Sequence, residues 1–267
     1  MQTGITHLVL RRQGGELAAV LPKVKECGYD GLEVLLTDDG DITFETTEAE
    51  LDQIRELFAQ HDLVPMGMCP SVSNRGSLVT GQQADREQFQ RVCLSAARAC
   101  RRLGIDTVLI IPGGVTPGVP YDICYQRAVE GLKTLRPICD ETGVNLAVEY
   151  VWNNMFLSPL EMRQCLDEVD HPNIGFYMDT GNCMSYGYAE QWIHILGKHI
   201  KKVHTKNFKR RPKWEWPSLL SDGDADWDAI MAALRYIGYD GPLISEMSGT
   251  WEEHAENARF TRGLYGG

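Results

Sequence analysis

Short apolar segments alternate with amphipathic segments along the whole chain, and this alternation restricts the possible folds more than any other feature. The apolar segments read as strands and lie at 6–10, 32–36, 63–69, 106–111, 146–149, 174–179, 201–206 and 242–246. The segments between them have helical periodicity, among them 47–61, 82–103 and 121–142. Such alternation indicates parallel strands with crossover helices. Eight units in 267 residues predict an α/β chain with a (β/α)8 TIM barrel.

Two other arrangements are compatible with the length. A doubly wound open sheet usually carries a G-x-G-x-x-G turn after its first strand, and the chain lacks that spacing. Two small domains would need a linker, and we find no shift in composition, so residues 1–267 are predicted to form a single TIM-barrel domain. The longest late loop, 208–224, contains Trp214 and Trp216. It is a candidate lid or dimer contact in an expected homo-oligomer, or simply a surface loop with buried aromatic side chains.

Composition and charge narrow the partners and the compartment. The formal net charge of −11 argues against nucleic acid or an anionic membrane as a partner, because both favour positively charged proteins. The eight cysteines form no C-x-x-C pair, and several fall in helical segments, where a free thiol packs as a small apolar group. Scattered thiols and the absence of a recognisable signal peptide predict a reducing, cytoplasmic location.

Two of the late apolar segments end in an acid: LAVE ends at Glu149 and GFYMD at Asp179. A buried carboxylate is costly unless it is paired, hydrogen-bonded or bound to a metal. In a TIM barrel the carboxyl ends of all strands meet at the face that carries the active site, and two later strands bring His204 and Glu246 to that face. Each side chain alone has a structural explanation, such as a loop cap, an ion pair or a core histidine. Together they predict a site for a divalent cation such as Mn²⁺ or Mg²⁺, with positions left for substrate oxygens.

The motifs around these four residues resemble those of one family. VEY, MDTGN, VHTKN and SEM, together with the segment 222–247, are similar to the sugar phosphate isomerase/epimerase family of xylose isomerase-like TIM barrels, which includes ketose and ketose-phosphate 3-epimerases. The resemblance implies that Glu149, Asp179, His204 and Glu246 bind the metal, with Mn²⁺ expected and Mg²⁺ or Co²⁺ as alternatives. It also implies that Glu149 and Glu246 are the catalytic acid/base pair.

The reaction implied by this resemblance is epimerisation or isomerisation of a ketose or a sugar phosphate. One glutamate removes the proton next to a carbonyl, the metal stabilises the enediolate, and the other glutamate returns a proton from the opposite face. The chain departs from the epimerase pattern twice. Asn182 stands where the epimerases have a histidine three residues after the aspartate ligand, and the segment 152–156 lacks their substrate-binding glutamate.

Several further residues are candidates for substrate binding. The resemblance places the family's substrate-contacting arginine at Arg210. This arginine lies in a basic loop whose cations are a possible phosphate site or a solvated face that balances an acidic protein; they are Lys206, Lys209, Arg210, Arg211 and Lys213. The remaining candidates are Asn182, Trp152, His7 and Glu33. Trp152 is equally well explained by core packing.

The sequence is also compatible with three other functions. A dehydratase or lyase of a keto-sugar or an inosose would use the same metal site but expel a hydroxyl group. A DNA repair enzyme similar to endonuclease IV would need more metal-binding histidines and a basic groove, whereas only His204 and, less clearly, His7 lie near a strand end. A non-catalytic sugar-binding barrel would bind its ligand without proton exchange.

Overall fold

The computed structural model describes residues 1–11 and 15–265. Eight strands form a closed barrel in chain order, and each strand is parallel to both neighbours. They are β1 (Thr3–Thr6), β2 (Gly31–Leu36), β3 (Val64–Pro70), β4 (Thr107–Ile110), β5 (Asn145–Glu149), β6 (Ile174–Asp179), β7 (Ile200–Thr205) and β8 (Leu243–Ser245). The predicted TIM barrel is therefore confirmed, and the doubly wound open sheet is excluded. That residues 1–267 form a single domain stays a prediction.

Helices occupy most of the connections between strands. They are α1 (His7–Leu10), α2 (Leu17–Glu26), α3 (Glu48–Gln60), α4 (Gln83–Leu103), α5 (Tyr121–Lys133), α6 (Arg136–Thr142), α7 (Pro159–Val169), α8 (Ala189–Leu196), α9 (Trp227–Tyr236) and α10 (Trp251–Gly263). Helix α4 is typical: its buried side chains recur every three or four residues, and it ends at Gly104, whose φ of +77° suits glycine. Within the described ranges, no helix is both long and apolar enough to cross a membrane.

Two predicted elements are wrong in detail. The first strand is Thr3–Thr6 rather than 6–10, because the Thr6 hydroxyl accepts a hydrogen bond from the Leu8 amide and starts α1. The predicted helix 121–142 is two helices, α5 and α6. The break, at residues 134–135, lies just before Pro137, which has no N–H to donate to the carbonyl of Lys133.

Side chains alternate between two apolar layers along the strands. One set, such as Val34, Val108 and Phe176, belongs to the main core. The other set forms a separate cluster of Leu35, Cys69, Leu109, Ala147 and Tyr177. Because successive residues of a strand point to opposite faces, the first set faces the helices and the second fills the barrel interior. All eight cysteines are buried and free, as expected for thiols that pack as apolar groups.

Strand register brings the predicted ligands together. Glu149 pairs with Tyr177 of β6, and Asp179 pairs with His204 of β7. Glu246 directly follows β8, and its backbone N–H donates to the Thr205 carbonyl at 3.0 Å. The carboxyl ends of four consecutive strands therefore bring Glu149, Asp179, His204 and Glu246 to the same rim of the barrel.

Candidate active site

Glu149, Asp179, His204 and Glu246 converge at the carboxyl end of the barrel. One ligand atom from each of the four lies within 4.8 Å of the others. The first three residues are buried, and Glu246 has the most exposed side chain of the four, at 13%. This spacing suits a single cation with oxygen and nitrogen ligands.

Two atoms of this cluster lack hydrogen-bond partners. Asp179 Oδ2 and His204 Nδ1 are buried and unsatisfied within the described residues. His204 Nδ1 lies 3.7 Å from Glu149 Oε1 and 3.8 Å from Glu246 Oε2, both too far for a hydrogen bond. A buried polar atom left unpaired costs about 1–3 kcal/mol. A cation between these atoms would satisfy both of them, so the residues present fit the metal that the sequence predicts.

Glu33 fixes the orientation of the His204 ring from inside the barrel. His204 Nε2 lies 3.0 Å from Glu33 Oε1, and the Tyr177 hydroxyl donates to Glu33 Oε2. Burial opposes ionisation of Glu33, but the charge and hydrogen bonds of His204 outweigh it and hold the pKa of Glu33 below its ordinary value. A carboxylate at one ring nitrogen of a metal-binding histidine directs the other nitrogen towards the metal. Glu33 therefore lies beneath His204 and affects the site by orienting the His204 ring.

The ligand cluster places three carboxyl groups and an imidazole in a buried space, which shifts their pKa values. Burial raises the pKa of Glu149 and, to a greater extent, that of Asp179. For Glu246 the effect of burial is outweighed by the charges of Lys206 and His204, which lower its pKa to about 2. Burial acts to lower the pKa of His204, but the neighbouring carboxylates raise it well above its ordinary value. A cation at Nδ1 would replace the proton that the carboxylates otherwise hold there.

Lys206 and Asn182 hold the ligand carboxylates. Lys206 Nζ donates to Glu246 Oε2 at 2.8 Å and lies 3.7 Å from Asp179 Oδ2. The Asn182 backbone N–H donates to Asp179 Oδ1 at 2.7 Å, and its side-chain amide donates to Glu149 Oε1 at 3.3 Å. Asn182 thus orients two of the predicted metal ligands.

A cavity of about 570 Å³ opens above the cluster. Its lining contains three of the predicted substrate contacts, Trp152, Asn182 and Lys206, together with Trp216. Trp152 packs against Trp216 at 5.0 Å between ring centroids, and its indole N–H donates to the Asn182 carbonyl at 3.0 Å. The volume is in the range of pockets that hold small organic ligands.

Three other candidates lie outside the lining of this cavity. His7 Nε2 lies 3.0 Å from the Gly15 carbonyl oxygen, and His7 lines a smaller neighbouring cavity. Arg210 lies over the Tyr188 ring and donates to the Gly187 carbonyl at 3.4 Å. Glu33 is completely buried under His204. Their role in substrate binding therefore stays a prediction.

Two lysines of the predicted basic phosphate loop are paired with acids of the same loop. Lys209 Nζ lies 2.5 Å from Asp222 Oδ1, and Lys213 Nζ lies 3.2 Å from Glu215 Oε2. These pairs favour the interpretation of this loop as a solvated face.

Arg75 is a cavity residue that the sequence did not indicate, and it reaches the cavity from the loop after β3. The available signal was its position at the carboxyl end of a barrel strand, where TIM barrels bind ligands.

The segment 152–156 has an unusual backbone. Trp152, Asn154 and Phe156 have positive φ angles of +31°, +61° and +57°, a region that non-glycine residues rarely occupy. Each such residue costs of order 1–3 kcal/mol and persists only when its surroundings impose it. Here the Asn153 side chain donates to the Gly113 carbonyl, and the Val115 amide donates to the Asn153 carbonyl at 3.1 Å. The segment is thereby held with Trp152 at the cavity wall.

The position of Glu33 leads to a first prediction. Glu33→Gln removes the charge behind His204, and loss of such a partner typically costs about 10- to 100-fold in metal affinity. We expect a decrease of that size in Mn²⁺ affinity, measured by isothermal titration calorimetry. Glu256→Gln, which makes the same exchange on the exposed face of α10, should bind Mn²⁺ like the unmodified protein. Equal affinity of both variants would show that Glu33 does not support the metal site.

Comparison with known proteins agrees with this geometry. Residues 21–264 match the family model of the xylose isomerase-like TIM barrel. L-ribulose-5-phosphate 3-epimerase UlaE of Salmonella paratyphi C is 25% identical over 254 residues, covering 87% of this chain and 81% of that protein. L-ribulose 3-epimerase of Methylomonas sp. is 24% identical over 224 residues, covering 82% of this chain and 74% of that protein.

A solved structure extends the comparison of the fold. The IOLI protein, with a bound zinc atom, superposes with a TM-score of 0.78 at 19% identity and covers 98% of this chain and 96% of its own. The motif resemblance is confirmed, because the family model matches most of the sequence. The chain belongs to the xylose isomerase-like TIM barrel family.

Proposed function

We propose that the protein is a divalent-metal-dependent epimerase or isomerase of a ketose or a sugar phosphate. The observation that carries the proposal is the cluster of four ligand side chains, with two unsatisfied buried atoms, at the floor of a cavity of about 570 Å³. Two relatives of the chain are named as 3-epimerases of L-ribulose and of its 5-phosphate, which supports the same reaction class. A cytoplasmic location and a homo-oligomeric state are part of the proposal.

Glu149, Asp179, His204 and Glu246 would hold the cation. Three carboxylates and one imidazole suit Mn²⁺, with Mg²⁺ or Co²⁺ as alternatives. The zinc atom in the IOLI protein indicates that a barrel of this fold accepts a transition-row ion. When bound, a divalent cation would polarise the carbonyl and hydroxyl oxygens of the sugar and so acidify the adjacent C–H.

Glu149 and Glu246 are the proposed acid/base pair. They come from β5 and from the end of β8, and they lie at similar distances, 3.7 Å and 3.8 Å, from His204 Nδ1. In this proposal, a sugar bound above His204 has one carboxylate near each side of its reacting carbon. One glutamate takes the proton next to the carbonyl, and the other returns a proton to the opposite face. This exchange inverts the centre.

Other side chains position the sugar. Lys206 is hydrogen-bonded to Glu246 and holds that carboxylate ionised, and because it lines the cavity it would also be within reach of a sugar oxygen. Trp152 and Asn182 form the wall between β5 and β6, with an apolar ring and an amide available to the sugar. Arg210 remains a proposed contact from the family resemblance, and it would have to leave the Tyr188 ring to reach the cavity.

Proton exchange in D2O tests the proposal. The Mn²⁺-loaded protein is incubated with a panel of ketoses and ketose phosphates, and the products are followed by NMR. We expect at least one sugar to exchange a carbon-bound proton and to convert to an epimer or isomer, and chelation of the metal should stop both processes. Release of water instead would identify a dehydratase. If no sugar exchanges or rearranges, the proposal fails.

A further inference from the structure

The charged groups around the cavity are separated across the barrel. The four predicted ligands end strands β5 to β8, whereas Arg75 follows β3. In a closed ring of eight strands in chain order, β3 lies opposite β7, which carries His204. The cavity therefore has an acidic cluster on one side and an arginine on the other. A substrate that spans it would meet both.

The guanidinium group of Arg75 is available to a ligand as far as the described part of the chain shows. Its side chain is exposed and lines the cavity, and no ion pair or hydrogen bond of its guanidinium is found within residues 1–11 and 15–265. Its positive charge affects Cys69, which lines the same cavity. Burial, and then Glu33, Glu149 and Glu246, raise the pKa of the Cys69 thiol well above its ordinary value, whereas Arg75 lowers it.

Lys206, which also lines the cavity, and two lysines of the loop after β7 already have acidic partners. Lys206 is hydrogen-bonded to Glu246, and Lys209 and Lys213 pair with acids of their own loop. Lys206 is thus engaged by the ligand cluster itself. The loop after β3 instead offers a guanidinium, which suits bidentate binding of phosphate or carboxylate. The side chains of Ser71 and Ser73 line the cavity in the same loop.

We propose that Arg75 binds an anionic group, a phosphate or a carboxylate, at the end of the substrate away from the reacting carbons. The inference rests on the proposed function and specifies its substrate class as an acidic ketose derivative. The proposed anion site lies in the loop after β3, whereas the sequence suggested the basic loop after β7. Arg75 is then a specificity-determining residue, because it contacts the substrate without touching the reacting atoms.

The test compares sugars that differ only at the terminal group. Each is incubated with Mn²⁺-loaded protein in D2O, and kcat/KM for proton exchange is measured with ribulose and ribulose 5-phosphate, and with fructose, fructose 6-phosphate and fructuronate. We expect an anionic sugar to be preferred over its neutral counterpart. Arg75→Gln should lower that preference by about 10- to 100-fold, as expected for loss of a hydrogen bond to a charged group. Arg259→Gln, on the exposed face of α10, should leave it unchanged.

The outcomes separate the inference from the proposed function. A preference for phosphate or for carboxylate that depends on Arg75 supports the site and identifies its ligand. Exchange without a preference, or with a preference that survives Arg75→Gln, overturns the inference and leaves the epimerase proposal standing. If no sugar exchanges, binding of ribulose 5-phosphate is measured by calorimetry. Binding that is weaker in Arg75→Gln than in Arg259→Gln supports the anion site although the proposed function fails, and equal or absent binding overturns the site as well.

Discussion

The Glu246→Gln variant is expected to lose about 100- to 10,000-fold in kcat for proton exchange, the usual contribution of a positioned acid or base. The amide keeps the shape of the side chain and an oxygen that can face the cation, but it cannot accept a proton near neutral pH. Lys206 loses its charged partner at 2.8 Å but retains Asp179 at 3.7 Å, so the fold should be preserved. NMR exchange assays in D2O and circular dichroism measure the two effects.

Two controls make the Glu246 result interpretable. Glu256→Gln makes the same chemical change outside the cavity and should leave exchange unaffected. The metal content of Glu246→Gln is measured by elemental analysis, because a variant that has lost its cation would be inactive for another reason. At saturating Mn²⁺ we expect full occupancy with low turnover. Near-normal exchange would remove Glu246 from the mechanism.

The four predicted ligands were accessible from the sequence because each ends an apolar strand segment. In a parallel barrel the ends of neighbouring strands meet, so Glu149, Asp179, His204 and Glu246 could be grouped without coordinates. In the structure, the same four side chains lie close enough together to hold a cation. The fold and this grouping of side chains therefore follow from local patterns and one topological rule.

Contacts between side chains inside the barrel could not be predicted in the same way. Glu33 and His204 are 171 residues apart, and their contact depends on the stagger of the strands around the closed ring. A single strand pattern contains no information on that stagger, so Glu33 was assigned to the substrate instead of to His204. Arg75 was missed because its polar loop has no periodicity, and only the closed barrel places it above the cavity.

The two departures from the epimerase pattern prove to be one structural feature. Trp152, in the segment without an acid, donates its indole N–H to the carbonyl of Asn182, which replaces the expected histidine. The wall between β5 and β6 therefore presents a ring and an amide rather than a carboxylate and an imidazole. Such a wall offers fewer charged contacts to sugar hydroxyls, and a substrate bound here would depend more on groups elsewhere in the cavity, such as Arg75.

Removal of the metal is expected to stop proton exchange and to destabilise the protein. Burial raises the pKa of Glu149 and Asp179 in the metal-free protein above the values of the unfolded chain. A raised folded-state pKa means that stability falls as pH rises from the ordinary carboxyl range towards that raised pKa. A bound cation relieves this cost, because it stabilises both carboxylates in their ionised form.

The size of the effect follows from linkage. A ligand present at 100 times its Kd stabilises the folded state by about 2.7 kcal/mol. For a chain of this size we therefore expect chelation to lower Tm by about 5–10 °C. Added Mn²⁺ should restore both Tm and exchange, and its affinity should decrease at lower pH as protons compete for the carboxylates. Asp179→Asn should respond far less to chelator, because it weakens the site itself. A metal-depleted protein with unchanged Tm and full exchange activity would exclude a functional cation among these four side chains.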